Sequence, residues 1–201
     1  MSDQLRELFE AESLDLDAIT VGLDALPADE RLQFIRVLGK KIQRKLFEAC
    51  EGRGGLTMDA IVPNDRAPLS EVIHHGRNSL PTFNFFQKRF CRVPDSDRFA
   101  GYNEQSMMWA TGPGYFVTRP ADDADGEIDI DYCLLPTQKV ESWPEIVPQE
   151  SRLGRFVYSG MVDRLRRVSS HVTIGRAIIK GKATHNYFLL CREDQAGESS
   201  Q

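Results

Sequence analysis

The sequence predicts an α+β fold: N-terminal helices packed on a curved antiparallel sheet, curled as far as a half-barrel. Three observations lead there. Apolar residues in the first fifty positions recur at three- and four-residue steps. From about residue 98 the pattern changes to alternation, and turn sequences join the alternating runs. Helices are thus followed by strands, which is the order of an α+β domain and not of a parallel α/β sheet.

Taken in order, Asp3 to Glu12 reads as a short acidic helix. A second, of about twenty-three residues, starts at "LPADERLQF", where Pro27 suits a first turn and Asp29 and Glu30 suit the positive end of the dipole. Leu32, Ile35, Ile42 and Leu46 form its apolar stripe, and "EGRGG" stops it. "PLSEVIHHG" suggests a helical turn near Ser70. "SLPTFNFFQKRFCRV" is ambiguous. As a strand neither face is clean; as a helix Phe83, Phe86, Phe90 and Val93 share one side, with Ser79 as cap and Pro81 in the first turn, so a helix is expected.

"DRFAGYN" and Tyr115 to Thr118 read as strands, and "GEIDIDYCLL" alternates Ile128, Ile130, Tyr132 and Leu134 against Glu127, Asp129, Asp131 and Cys133. "ADDADG" is the hairpin loop before it. "KVESWPEIVPQES" is a long connection, and "RFVYSGMVDRLRRVSS" does not decide between helix and strand. "HVTIGRAII", "KGKATH" and "NYFLLCR" form a hairpin. The resulting division is a helical segment 1–55, an α+β domain 56–192 and a disordered tail 193–201.

Net charge is −5, but it is segregated. Residues 1–30 carry nine acids and one base, 121–150 nine acids and one lysine, and 151–192 nine bases and one acid, Asp163. Residues 72–94 carry four bases and no acid. Either these stretches pair across the fold, or they leave a basic pocket for an anion. An acidic start without an apolar leader, and no long apolar run, point to a cytoplasmic chain without a membrane span. The four cysteines are far apart and form no CxxC pair, so they read as reduced thiols and not as a zinc site.

"ADDADGEIDIDY" matches part of a calcium loop, but Tyr132 stands where a bidentate glutamate is needed. The histidines do not fix a metal site either, so no metal and no cofactor is assigned. "HHGRNS" ahead of the expected helix suggests an anion corner built from His74, His75 and Arg77. "RRVS", ending at Ser169, has the form of a basophilic kinase site. Overall acidity and the lack of a motif disfavour nucleic acid.

The expected function is binding of a small anionic or amphipathic molecule in a cavity between sheet and helices. Arg77, Lys88, Arg89, Arg92, Tyr115 and Tyr132 are its candidate contacts, with Phe83 and Phe86 as walls. One alternative is an enzyme that moves protons with His74 or His75 and Asp129 or Asp131. Another is a scaffold that docks an acidic partner or forms a homodimer.

Overall fold

The computed structural model describes residues 2–80, 84–106, 108–147 and 158–194. The chain opens with α1 (Ser2–Glu10), α2 (Leu16–Asp24), α3 (Ala28–Arg36), α4 (Lys40–Ala49) and the single turn α5 (Met58–Ile61). The strands β1 (Val72–Asn78), β2 (Phe85–Arg92) and β3 (Phe99–Glu104) follow, then the short α6 (Met108–Thr111). After it come β4 (Phe116–Pro120), β5 (Ile128–Asp131), β6 (Met161–Arg167), β7 (Val172–Ile179) and β8 (Lys182–Arg192). Each strand pairs antiparallel with the next. Because β1 also pairs with β8, the sheet is a closed eight-stranded barrel and not a half-barrel. Closure removes the two edges that an open sheet would expose.

The α+β order and the places of the strands from residue 98 onward agree with the sequence reading, except that β5 ends at Asp131 and does not run on to Leu134. The β7–β8 hairpin turns on Lys180 and Gly181 alone, both at positive φ (50° and 73°), the pair of conformations a two-residue hairpin loop requires. "KATH" belongs to β8 and not to the loop. "ADDADG" does connect β4 to β5, and the undecided "MVDRLRR" is β6.

Three expected helical features are corrected. The twenty-three-residue helix is two helices, α3 and α4, because Gly39 takes an extended conformation (φ −81°, ψ 175°) and restarts the helix. Buried Gln43 holds the break by donating to the Leu38 carbonyl at 2.9 Å. The bend lets α3 pack on β1 and β8 while α4 packs on β7 and β8. "VIHHGRN" is strand β1, not a helical turn, so it lacks the helix N-terminus on which the expected anion corner rested. "FFQKRFCR" is strand β2, not a helix; Phe83 lies outside the described residues. The alternation of β2 looked impure because its inward face carries a charge, Lys88, between Phe86 and Phe90.

The apolar residues form three layers. Outward-facing Val172, Ile174, Tyr187, Leu189 and Cys191 pack against the helices, including Leu23, Ile35 and Phe47. The barrel lumen holds a second layer, with Phe90, Phe116, Ile128, Ile130, Leu165 and Leu190. A flank of Cys91, Ala100, Tyr102 and Tyr115 is covered by Trp143. All four cysteines are free, and three are buried.

Within the lumen, three rings lie flat against the wall over glycines of adjacent strands: Phe86 on Gly76, Phe116 on Gly101 and Phe188 on Gly175. A Cβ at Gly101 would stand 2.2 Å from the Phe116 ring and 2.5 Å from the Arg89 carbonyl. These glycines therefore make the room that Lys88 occupies between the rings. Gly101→Ala is expected to destabilise the protein by about 1–3 kcal/mol through overpacking. Gly39→Ser, at an open helix cap, should be close to neutral. Urea unfolding of the two variants checks this, and equal midpoints would contradict it.

Candidate functional site

The two ends of the barrel differ. At the end where β1 begins, Leu56, Ile61 and Val62 enter the lumen layer beside Val72, Phe90 and Phe99. His74 points inward there. Its Nε2–H donates to the Ile61 carbonyl at 2.9 Å and its ring meets Phe90 edge-on at 4.8 Å. Nδ1 is left as a buried acceptor without a hydrogen-bond partner. Burial lowers the pKa of this imidazole to about 3, with the nearby Arg192 acting in the same direction against the Ile61 hydrogen bond. His74 is thus a neutral tie between β1 and the α5 plug.

Towards the other end the lumen is polar. Lys88 projects inward from β2, and only 2% of it is exposed. Its Nζ donates to Asn103 Oδ1 on β3 and to Asp163 Oδ2 on β6, each at 3.0 Å, and also contacts the Tyr132 hydroxyl. Strands β2 and β6 are not neighbours, so the ion pair crosses the lumen. The ammonium also lies 5.1–5.6 Å from the ring centres of Phe86, Phe116 and Phe188. That is within reach of a cation–π attraction, which strengthens when water is excluded. Burial lowers the amine's pKa, and Asp163 pulls it back up by charge and hydrogen bonding.

Tyr132 closes the network. Its hydroxyl accepts from Asn103 Nδ2 at 2.9 Å and lies 3.2 Å from Asp163 Oδ2. Burial, reinforced by the adjacent Asp163, raises its pKa well above the usual phenol value, so it stays protonated. Tyr158 stacks on the Tyr132 ring at 5.1 Å and 11°, and accepts from Gln105 Nε2 at 2.9 Å. Above this network lies a cavity of about 190 Å³. Lys88, Asp163, Asn103 and Tyr132 present polar atoms to it, while Phe86, Phe188, Met161 and Ala177 give apolar wall.

Only two of the six predicted ligand contacts, Lys88 and Tyr132, line this cavity. Arg77 faces outward, where it and Arg36 each lie 5.3 Å from the exposed Phe85 ring. Arg89 pairs outside the barrel with Glu71 at 3.1 Å. Arg92 leaves the plugged end and reaches the Val62 carbonyl at 2.7 Å and Asp59 at 3.2 Å. Tyr115 lies on the outer flank and donates to the Pro144 carbonyl at 2.5 Å. Strand parity accounts for the β2 cations: Lys88 points into the lumen, Arg89 points away from it, and Arg92 leaves it at the rim.

The predicted His–Asp pairing is not assembled either. His75 is outside, 2.6 Å from Glu193. Asp129 faces outward and accepts from Arg164 Nε at 2.5 Å and Nη2 at 3.3 Å. Asp131 accepts from the Cys133 amide at 2.8 Å. Asp123 of the acidic hairpin also pairs with Arg164, at 2.7 Å. Ser169 is buried in the β6–β7 turn, where its Oγ accepts from the Val172 amide at 3.2 Å. Asp163, Asn103, Tyr158 and Phe188 were missed as site residues. For Asp163 a signal existed: it is the one acid in a run of nine bases.

Two predictions follow the geometry. His74 titrates near 6.5 when unfolded and near 3 when folded, so the folded state binds fewer protons between those values. Stability should be intact above pH 6.5 and fall as pH drops through that window, by at most about 1.4 kcal/mol per unit. His74→Gln keeps a donor for Ile61 and should flatten this slope in urea titrations against pH. Lys88→Met strands a buried carboxylate and should cost about 3–5 kcal/mol, much of it recovered in Lys88→Met/Asp163→Leu. A double-variant loss equal to the sum of the Lys88→Met and Asp163→Leu losses would show that the pair is uncoupled.

Comparison with protein-family models, curated proteins and solved structures finds no match for this chain.

Proposed function

We propose that the protein binds a small amphipathic molecule in the barrel cavity, with its polar end on the Lys88–Asp163–Asn103–Tyr132 network and its apolar body against Phe86, Phe188 and Met161. The observation that carries this is a cavity with a buried ion pair at its floor, in a lumen whose other described residues form an apolar cluster. Interiors close-pack, and a buried charge pair is commonly no more stabilising than apolar residues of the same volume. Keeping both a void and a charge pair side by side argues for a ligand. The volume is below the roughly 300 Å³ of a drug-sized pocket, so the ligand is small.

Of the two ligand types expected from the sequence, the amphipathic one is favoured over the anionic one. Asp163 already balances Lys88, and an added anion would meet that carboxylate at 3.0 Å from the amine. A neutral polar group can instead exchange hydrogen bonds with the network. Proton transfer by a His–Asp pair has less support, since His74 sits at the plugged end and Asp129 outside. Docking of an acidic partner is weakened because Arg89, Arg92, Arg119, Arg164 and Arg166 all have carboxylate partners.

Benzyl alcohol, hexanol and hexanoate are suitable probes. At a hundredfold excess over Kd, a bound probe stabilises by about 2.7 kcal/mol, or roughly 5–10 °C in Tm for a chain of this size. Ala177→Leu, which fills the cavity from β7, should remove the shift while leaving the unliganded Tm close to wild type. No shift with any probe, or a shift that persists in the filled variant, would refute cavity binding.

A further inference from the structure

Resting on the cavity reading above, we infer that Lys88 is a covalent anchor for a carbonyl ligand, forming an imine with a small aldehyde or ketone that enters the barrel. Four features of the site meet what that reaction needs. The amine is the polar group at the cavity floor, enclosed by aromatic rings and shielded from bulk water. Desolvation of a lysine in an apolar pocket is one of the ways proteins activate it as a nucleophile. Asp163, 3.0 Å away, can take the ammonium proton and so free the lone pair. The Tyr132 hydroxyl touches Nζ and stands 3.2 Å from Asp163, where it can relay a proton to a carbonyl oxygen. Asn103 bonds both Lys88 and Tyr132 and holds them in register.

The steps balance. Lys88 passes a proton to Asp163, and the neutral amine adds to the carbonyl carbon. The C=O π pair moves to oxygen, which receives a proton through Tyr132 or Asp163, while the amine nitrogen returns one to the same groups. The carbinolamine C–O bond then breaks. Its hydroxyl leaves with one proton as water, and the nitrogen lone pair forms the C=N bond. The sum is lysine ammonium plus carbonyl giving protonated imine plus water. Asp163 ends as it began, a carboxylate, and becomes the counter-ion of the iminium. The site's net charge is the same before and after, so the buried network need not be rebuilt. No oxidant or reductant takes part.

Trapping at neutral pH tests this. The full chain is incubated with benzaldehyde and sodium cyanoborohydride, digested, and mapped by mass spectrometry. The sequence has seven lysines, of which Lys40, Lys41, Lys45, Lys139, Lys180 and Lys182 serve as internal controls. Benzylation of Lys88 at least tenfold faster than at any of the six is the expected result. Label spread evenly over the lysines, or absent from Lys88, would overturn the inference. Wild-type protein gives this readout whether or not a Lys88 variant folds. Benzyl alcohol, which cannot form an imine, separates the two levels of the argument. If it raises Tm while Lys88 stays unlabelled, covalent anchoring is wrong and cavity binding stands. If hexanol and hexanoate fail with it, both readings fall. Lys88→Arg should abolish labelling at this position.

Discussion

Lys88 and Asp163 face each other across the barrel lumen, and much of the structure is arranged to make that pair tolerable. Removing two charges from water costs several kcal/mol per ion even after relaxation, and attraction alone does not offset it unless the remaining donors and acceptors are satisfied. Asn103 and Tyr132 satisfy them here. Three phenylalanine rings surround the ammonium, and the glycines at positions 76, 101 and 175 let them lie back against the wall. Such a pair also penalises a register error. A one-residue slip of β2 would turn Lys88 out and bring Arg89 into the lumen, leaving Asp163 without its partner.

The barrel's two ends divide the work. His74, Leu56, Ile61 and Val62 make one end a packed, neutral stopper, in which an imidazole serves as a hydrogen-bond donor and not as a base. The other end brings polar side chains to the lining of a cavity. The helices cover the outer face of β7, β8 and β1, so their apolar stripe stabilises the wall and takes no direct part in the cavity.

The outside of the barrel explains the segregated charge. Asp129 on β5 is the direct register partner of Arg164 on β6, and Glu127 next to it binds Arg166 at 2.8 Å. Arg119 joins from β4 through Asp122. Acidic and basic stretches of the chain therefore meet as the neighbouring strands β5 and β6, where Arg164 and Arg166 are held in ion pairs. This was the plainer of the two readings open to the sequence, and it leaves Lys88 as the cation that enters the lumen.

How much was legible can be seen residue by residue. Helix-period spacing around Ile35 and Leu46, alternation in Ile128 to Tyr132, and the Lys-Gly turn before β8 are local signals, and they marked helices, strands and the α+β order correctly. Lone Asp163 among nine bases was visible as an oddity. What stayed hidden depends on contacts between residues far apart in the chain. Whether β1 and β2 were strands turned on a charged lumen position, and Lys88 is acceptable there only because Asp163 lies opposite it, seventy-five positions later. Whether the sheet closed turned on β1 meeting β8. The sequence by itself therefore determined the class of each strongly periodic segment. The tertiary structure alone decided which side of the wall each charge faces, because a strand has two faces and only its partners across the barrel say which one is inside.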